Sequence, residues 1–134
     1  MKSRNVITVL IFLIGSSVIY AQEQSIIPGG ITIAFKAGNA SELAKYMNST
    51  VELLLLDDED FYKKNVAESI LQEFFGAHKT KDFIIRHQGA RNEAQYAIGT
   101  LSTENGDYRV YFLLKNIGGK QLIHQIRIEI EDER

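Results

Sequence analysis

His78, His87 and His124 are the three histidines of the chain, and with the run Asp57-Asp58-Glu59-Asp60 they are the residues best suited to acid–base or metal chemistry. Acid–base catalysis needs an imidazole or carboxylate with a shifted pKa and a partner within hydrogen-bond reach. A metal centre needs several such groups converging on one point. The spacing supplies neither arrangement. His78 falls at the expected end of a helix, where a cation is mildly favoured. His87 shares the phase of Phe83 and Ile85 on one expected strand and could face inward, while His124 falls on another strand. Several ladder steps of about 3.3 Å separate the two, too many for shared metal ligands or a proton relay. The acidic run lacks the alternating oxygen ligands and mid-loop glycine of a hand-type calcium loop, so it reads as a solvated acidic turn. Cysteine is absent, which removes thiol catalysis, thiolate metal sites and disulfide staples. No glycine-rich phosphate loop, serine-nucleophile elbow or metalloprotease helix motif occurs. Asn39-Ala40-Ser41 and Asn48-Ser49-Thr50 match glycosylation acceptors, but Asn39 is better employed as a helix cap. No cofactor and no metal is expected.

The elements that must position these residues begin after an export signal. Lys2 and Arg4 precede an apolar run from Val6 to Tyr20 that ends at Ala21. That is a secretory signal peptide, shorter than the roughly 20 residues a membrane-spanning helix needs. Cleavage after Ala21 leaves one domain over residues 22–134, exported to the periplasm or beyond and free of the membrane. The formal charge of −2 becomes −4 without Lys2 and Arg4. That mild acidity, with no clustered Lys/Arg, argues against nucleic acid as a partner. Pro28 opens a short helix closed by Gly38. Asn39 with Glu42 resembles a capping box for a second helix, Ala40–Met47. Asn65 and Glu68 repeat that spacing before the strongest helix, Val66 to about His78, whose Val66, Ala67, Ile70, Leu71, Phe74 and Phe75 form one stripe. Thr50–Leu56 is a leucine-dense strand expected to be buried on both faces, and Phe61–Lys63 pairs back on it. Phe83–Gln88 leads into three antiparallel strands, Tyr96–Ser102, Tyr108–Lys115 and Leu122–Glu131. The fold class is therefore α+β, with helices on one side of an antiparallel sheet.

The turns of the three-stranded meander set its faces. A two-residue Asn105-Gly106 turn sets Leu101 opposite Val110, Gly99 opposite Phe112 and Ala97 opposite Leu114. A tight Gly118-Gly119 turn would place Gln125 and Arg127 against Phe112 and Val110, an error shared by the whole strand. A three-residue Ile117-Gly118-Gly119 loop with Gly119 in the bulge position avoids this. It sets Leu114 opposite Leu122, Phe112 opposite His124 and Val110 opposite Ile126. One face then carries Ala97, Gly99, Leu101, Val110, Phe112, Leu114, Leu122, Ile126 and Ile128, with His124 its single ionisable member. The other carries Ile98, Thr100, Tyr111, Leu113, Ile123 and Gln125, with Arg109, Arg127 and Glu129 towards one end. That second face is too apolar to be wholly solvated, so a homodimer is expected to form through it.

Helices followed by a curved antiparallel sheet running to the C-terminus resemble the nuclear transport factor 2-like cone, a cystatin-like fold. The segments Ile27-Pro28, Gly38-Asn39-Ala40, Asn48 to Leu53, Tyr96 to Leu101, Tyr108 to Phe112 and Arg127-Ile128-Glu129 resemble a family of small secreted bacterial proteins known as a domain of unknown function. The resemblance spans about Ile26 to Glu131. It implies a curved sheet with the N-terminal helices on its concave face, and it implies export; it carries no activity. On a cone, Phe112 and His124 would floor a hollow roofed by Phe35 and Phe74, suited to a small apolar or amphipathic ligand or a protein partner. Cone-fold isomerases and dehydratases place an inward carboxylate in such a hollow, but the register turns Glu129 and Glu131 away from it. The expectation is a non-catalytic binding module. Two alternatives stand beside it: an isomerase- or dehydratase-type enzyme using His124, and a purely structural interaction protein whose cone is packed solid.

Overall fold

The computed structural model describes residues 27–132. The expected signal segment Met1–Ala21 lies outside the described residues. Helix α1, Gly29–Ala37, follows Pro28 and stops at Gly38, whose φ of 63° is the left-handed conformation a glycine tolerates. It buries Ile31, Ala34 and Phe35. In α2, Ala40–Ala44, the Asn39 side chain accepts a hydrogen bond from the Glu42 N–H at 3.0 Å, the expected cap. The helix is shorter than expected because Met47 already belongs to strand β1, Met47–Leu55. Strand β2, Asp58–Lys63, pairs back through a two-residue turn in which Leu56 has φ 59°. Asp58, Glu59 and Asp60 thus form an exposed edge strand instead of a turn. Helix α3, Lys64–Ala77, follows without a loop. Asn65, expected as its cap, sits inside the first turn, and the extended Lys63 takes the cap position with no side-chain bond.

Strands β3 (Thr80–Arg91), β4 (Ala94–Thr103), β5 (Gly106–Ile117) and β6 (Lys120–Ile130) form an antiparallel meander. β1 joins β6 in parallel, giving one open six-stranded sheet in the order β2-β1-β6-β5-β4-β3. The architecture is α+β, a curved sheet with the helices on its concave face, as expected. β1 is not buried on both faces: Val51 and Leu53 are buried, whereas Leu54 and Leu55 are half-exposed. The helices therefore cover one side of the sheet and leave the other open.

Both meander turns differ from expectation, with unequal consequences. In the β4–β5 turn the loop residues are Glu104 and Asn105, and Gly106 pairs with Thr103. The Thr103 hydroxyl donates to the Gly106 carbonyl at 2.8 Å and accepts the Asn105 N–H at 3.1 Å. Moving the loop back one residue shifts the register by two, so Gly99 faces Val110 and Ala97 faces Phe112. A shift of two leaves every side chain on its face. In the β5–β6 turn Gly118 and Gly119 form the tight loop, with φ of 59° and 84°, and Ile117 pairs with Lys120. The ladder runs regularly to Leu114 opposite Ile123, and then slips by one, to Leu113 opposite Gln125 and Phe112 opposite Ile126. A bulge is present as the hydrophobic pattern demands, but it lies inside the strand, with His124 as the extra residue, and not in the turn. Ile123 consequently points into the core at 0% exposure, and Leu122 lies opposite Lys115. A second bulge leaves Arg86 extra between the pairs Ile85–Gly99 and His87–Ile98, which turns His87 onto the open face.

The core lies between the helices and the sheet. The Phe35 ring sits 4.8 Å from that of Phe83, 5.6 Å from that of Phe112 and 6.4 Å from that of Phe75. Gly99 lets Phe83 reach the sheet: a Cβ there would lie 2.7 Å from the Phe83 ring and 2.8 Å from the Ile84 carbonyl oxygen.

Candidate functional site

Three of the residues expected to bound a hollow, Phe35, Phe112 and Phe74, are buried. Phe35 and Phe112 are fully buried and stacked on each other, and Phe74 packs on His78 at 4.3 Å and edge-on to Tyr108 at 5.3 Å. His124 has left the floor with its bulge. It is half-buried, and its Nε2 is enclosed without a hydrogen-bond partner. Burial, and secondarily the positive charge of Lys115, pushes the imidazole pKa below its ordinary value. No carboxylate pairs with it among the described residues. His78, half-buried, donates from Nδ1 to the Phe74 carbonyl at 2.9 Å and ends α3.

Several concavities of the described residues lie elsewhere. Five, of about 310 to 960 Å³, are formed without Phe35, Phe74, Phe112 or His124. The larger ones draw on the open face of the sheet, whose cross-strand rows can be followed from the pairing. One row runs Leu54, Arg127, Tyr111, Ile98, His87; the next runs Glu52, Gln125, Leu113, Tyr96, Gly89. A third runs Glu129, Arg109, Thr100, Ile84. Of the residues expected on this face, Ile98, Thr100, Tyr111, Leu113 and Gln125 share it, while Ile123 is in the core because the bulge displaces it by one position. Thr100 is only 6% exposed. Arg86 Nε donates to its hydroxyl at 3.3 Å, and that hydroxyl donates to Glu131 at 3.2 Å, so the pair screens it. Phe61, opposite Glu52 on β2, is 66% exposed, and Ile84 is 47% exposed.

Charges ring this apolar centre. Arg127 pairs with Glu129 at 3.2 Å. Glu52 shares a hydrogen bond with Glu59 of β2, which raises its carboxyl pKa; burial and the Glu59 charge raise it further, against the opposing pull of Arg127 and Gln125.

At the end of the face near the β3–β4 turn the surface opens into a groove of about 860 Å³. Its walls include Tyr96, Tyr111 and Leu113, and its rim carries Arg91, Glu93 and Lys115. Tyr96 leans outward over Gly89: a Cβ on Gly89 would lie 2.8 Å from the Tyr96 hydroxyl. The hydroxyl meets His87 Nε2 at 3.0 Å, and the Tyr96 ring stacks on Tyr111 at 6.3 Å. Sequence reasoning passed over Tyr96, Arg91 and Lys115. The available signal was Gly89, a glycine inside a strand, which often marks a close approach.

Among the described residues no three histidines, cysteines or acids converge as metal ligands, and no helix is long and apolar enough to cross a membrane. The model of the DUF4783 family, a domain of unknown function, matches residues 29–129. A DUF4783 protein from Bacteroides ovatus ATCC 8483 is 43% identical over 80% of this chain and 97% of that one, with a TM-score of 0.77. A cystatin-like domain of unknown function from Nostoc punctiforme superposes at TM-score 0.63 and 11% identity, covering 78% of this chain and 73% of that one. The chain named Rd1NTF2_04 with long sheet superposes at TM-score 0.63 and 12% identity, covering 75% of this chain and 94% of that one. These last two establish the cystatin-like, nuclear transport factor 2-like fold alone. No curated protein matches the chain.

Proposed function

The chain belongs to the DUF4783 family, a domain of unknown function, and from that premise we propose that it is an exported, non-catalytic binding module that pairs with a second copy through the open face of its sheet. The face itself carries this reading. Leu54, Ile98, Tyr111 and Leu113 form a half-exposed apolar centre that no element among the described residues covers, flanked by the exposed Phe61 and Ile84. Six strands about 4.8 Å apart and about ten residues long at about 3.3 Å each give a face on the order of 800 Å². A standard interface takes about that much from each partner. The surrounding charges suit a twofold partner, because Arg109 and Arg127 share the face with Glu52, Glu59 and Glu129. A copy rotated by half a turn can set cations against anions.

The composition of the interior supports the non-catalytic half of the proposal. His124 has neither an inward position nor a carboxylate partner among the described residues, and both are what an isomerase or dehydratase of this fold class would require. Export rests on the basic-then-apolar segment ending at Ala21. Sedimentation of the mature chain tests the pairing. The proposal expects a dimer at low micromolar concentration, and a monomer for Tyr111→Glu combined with Leu113→Glu, both of which are half-exposed. A wild-type monomer at high micromolar concentration overturns it.

A further inference from the structure

Arg91, Ala94 and Lys115 stand in one cross-strand row, on β3, β4 and β5. The two cations are therefore about 9.6 Å apart at the backbone, two strand spacings, with only a methyl group between them. Long side chains from both sides can reach the space above Ala94. Neither cation has an ion-pair partner among the described residues: the pairs found there are Lys36–Asp82, Lys45–Glu42 and Arg127–Glu129. Glu93, at the tip of the β3–β4 turn, pairs with neither of them. Two rows in from the turn the groove becomes apolar and aromatic, with Leu113 on its floor and Tyr96 and Tyr111 beside it. It stays open because of Gly89. Without a side chain at that position, Tyr96 lies outward over the β3 edge, held there by His87, and does not fold back across Leu113.

We propose that this groove is a binding site for a small amphipathic anion, with the carboxylate or a like group between Arg91 and Lys115 above Ala94 and a flat apolar body against Leu113, Tyr96 and Tyr111. The charge complementarity sets the polarity of the ligand, and the rings set its shape. A volume of about 860 Å³ is of the size that small-molecule sites occupy. Guanidinium and ammonium groups both bind carboxylate, and the aromatic faces favour a planar body over a branched one. The site lies at one end of the open face and takes Tyr111 and Leu113 from the margin of the apolar centre, so a ligand here and a second copy over the centre compete for those two side chains.

The test uses 2-naphthoate with the mature chain, followed by amide NMR shifts. The proposal expects saturable shifts confined to the neighbourhood of Ala94, Leu113 and Lys115, with a Kd on the order of 1 mM for so small a probe. Arg91→Ala and Lys115→Ala should each weaken binding about tenfold; both residues are exposed, so the fold should survive their loss. The neutral isostere 2-naphthalenemethanol should bind at least about tenfold more weakly. Gly89→Val, which pushes Tyr96 back over the floor, should abolish the shifts while leaving the remaining spectrum in place. Equal binding of the neutral isostere, or binding indifferent to both cation variants, overturns the proposal and leaves an apolar patch. Shifts at Ala94 and Lys115, the row outside the apolar centre, on raising the protein concentration without naphthoate overturn it in favour of a second copy seated there.

Discussion

Deletion of His124 should be tolerated, although it removes a residue from a central strand. On β6 the pairs Leu114–Ile123 and Leu113–Gln125 stand on either side of the bulge, so His124 is the residue with no partner on β5. Taking it out joins Ile123 directly to Gln125 and leaves Ile123, Ile126 and Ile128 facing the core, in strict alternation with Gln125 and Arg127. The losses are local. The Ile123 N–H bond to the Tyr46 carbonyl, at 2.7 Å, is strained against the neighbouring strand, a cost of about 1 kcal/mol if it breaks. Removing an enclosed, unpartnered Nε2 returns about 1–3 kcal/mol. The net change should fall within about 2 kcal/mol of zero. Deletion of Tyr111 from β5 is the contrast, because no bulge lies there to absorb it. Phe112 and Leu114, both at 0% exposure, would turn outward, losing roughly 1.5–3 kcal/mol each before any polar group is buried in their place. Against a total stability of about 5–15 kcal/mol, that deletion should leave little folded protein at 37 °C. Urea unfolding of both deletions, followed by far-ultraviolet circular dichroism, reads the difference. If the His124 deletion unfolds as readily as the Tyr111 deletion, His124 is not the extra residue and the register is wrong.

Gly99→Ala should destabilise the chain by about 1–3 kcal/mol, since one of its close contacts is the Ile84 backbone and cannot swing aside; an unchanged midpoint in urea would show that β3 and β4 have room to part. Glu52 gives a pH dependence of definite sign. Its folded-state pKa is raised above the ordinary 4.5, chiefly through the hydrogen bond with Glu59, so the folded state binds the proton more tightly. The associated stability is full below 4.5 and is lost as pH rises through the folded value. The groups facing Glu52 are Glu59 from β2, and Arg127 and Gln125 from β6. The lowered His124 works the opposite way, losing stability as pH falls through its folded pKa, so the comparison should be made against Glu52→Gln, in which His124 is common to both. The wild type should gain on the variant as pH drops from neutral towards 4.5, and parallel melting curves across that range would refute the coupling.

How much of this was legible in the letters divides along physical lines. The α+β order and the Gly38 and Asn39 signals at the helix ends are local, and they could be read locally. The inner face of β4 and β5 was also readable, because the register error at the β4–β5 turn was even and an even error conserves faces. The bulges at Arg86 and His124 were not read, yet both leave a trace. Ile84-Ile85-Arg86-His87 and Leu122-Ile123-His124-Gln125 both run two apolar then two polar residues, a break in alternation at each slip. Placing the discontinuity in the glycine loop, where bulges are common, put His124 on the floor and Ile123 outside. The ring packing inside the cone could not be read from single residues, since it follows from how Phe35, Phe75, Phe83 and Phe112 meet. The groove depends on Tyr96 lying over Gly89 across two strands, which no spacing within either strand records.

The outermost strand of the sheet bears Asp58, Glu59 and Asp60 in succession, and the opposite edge strand carries Lys81, Asp82 and Arg86 with a kink at the last. Each edge still offers free backbone donors and acceptors, but a neighbour bringing the same edge would meet its own charges. Copies of this chain are thereby steered away from pairing the acidic β2 edge with itself. The pairing proposed above uses the broad face instead, where a half-turn would bring each patch onto itself and end the assembly at two.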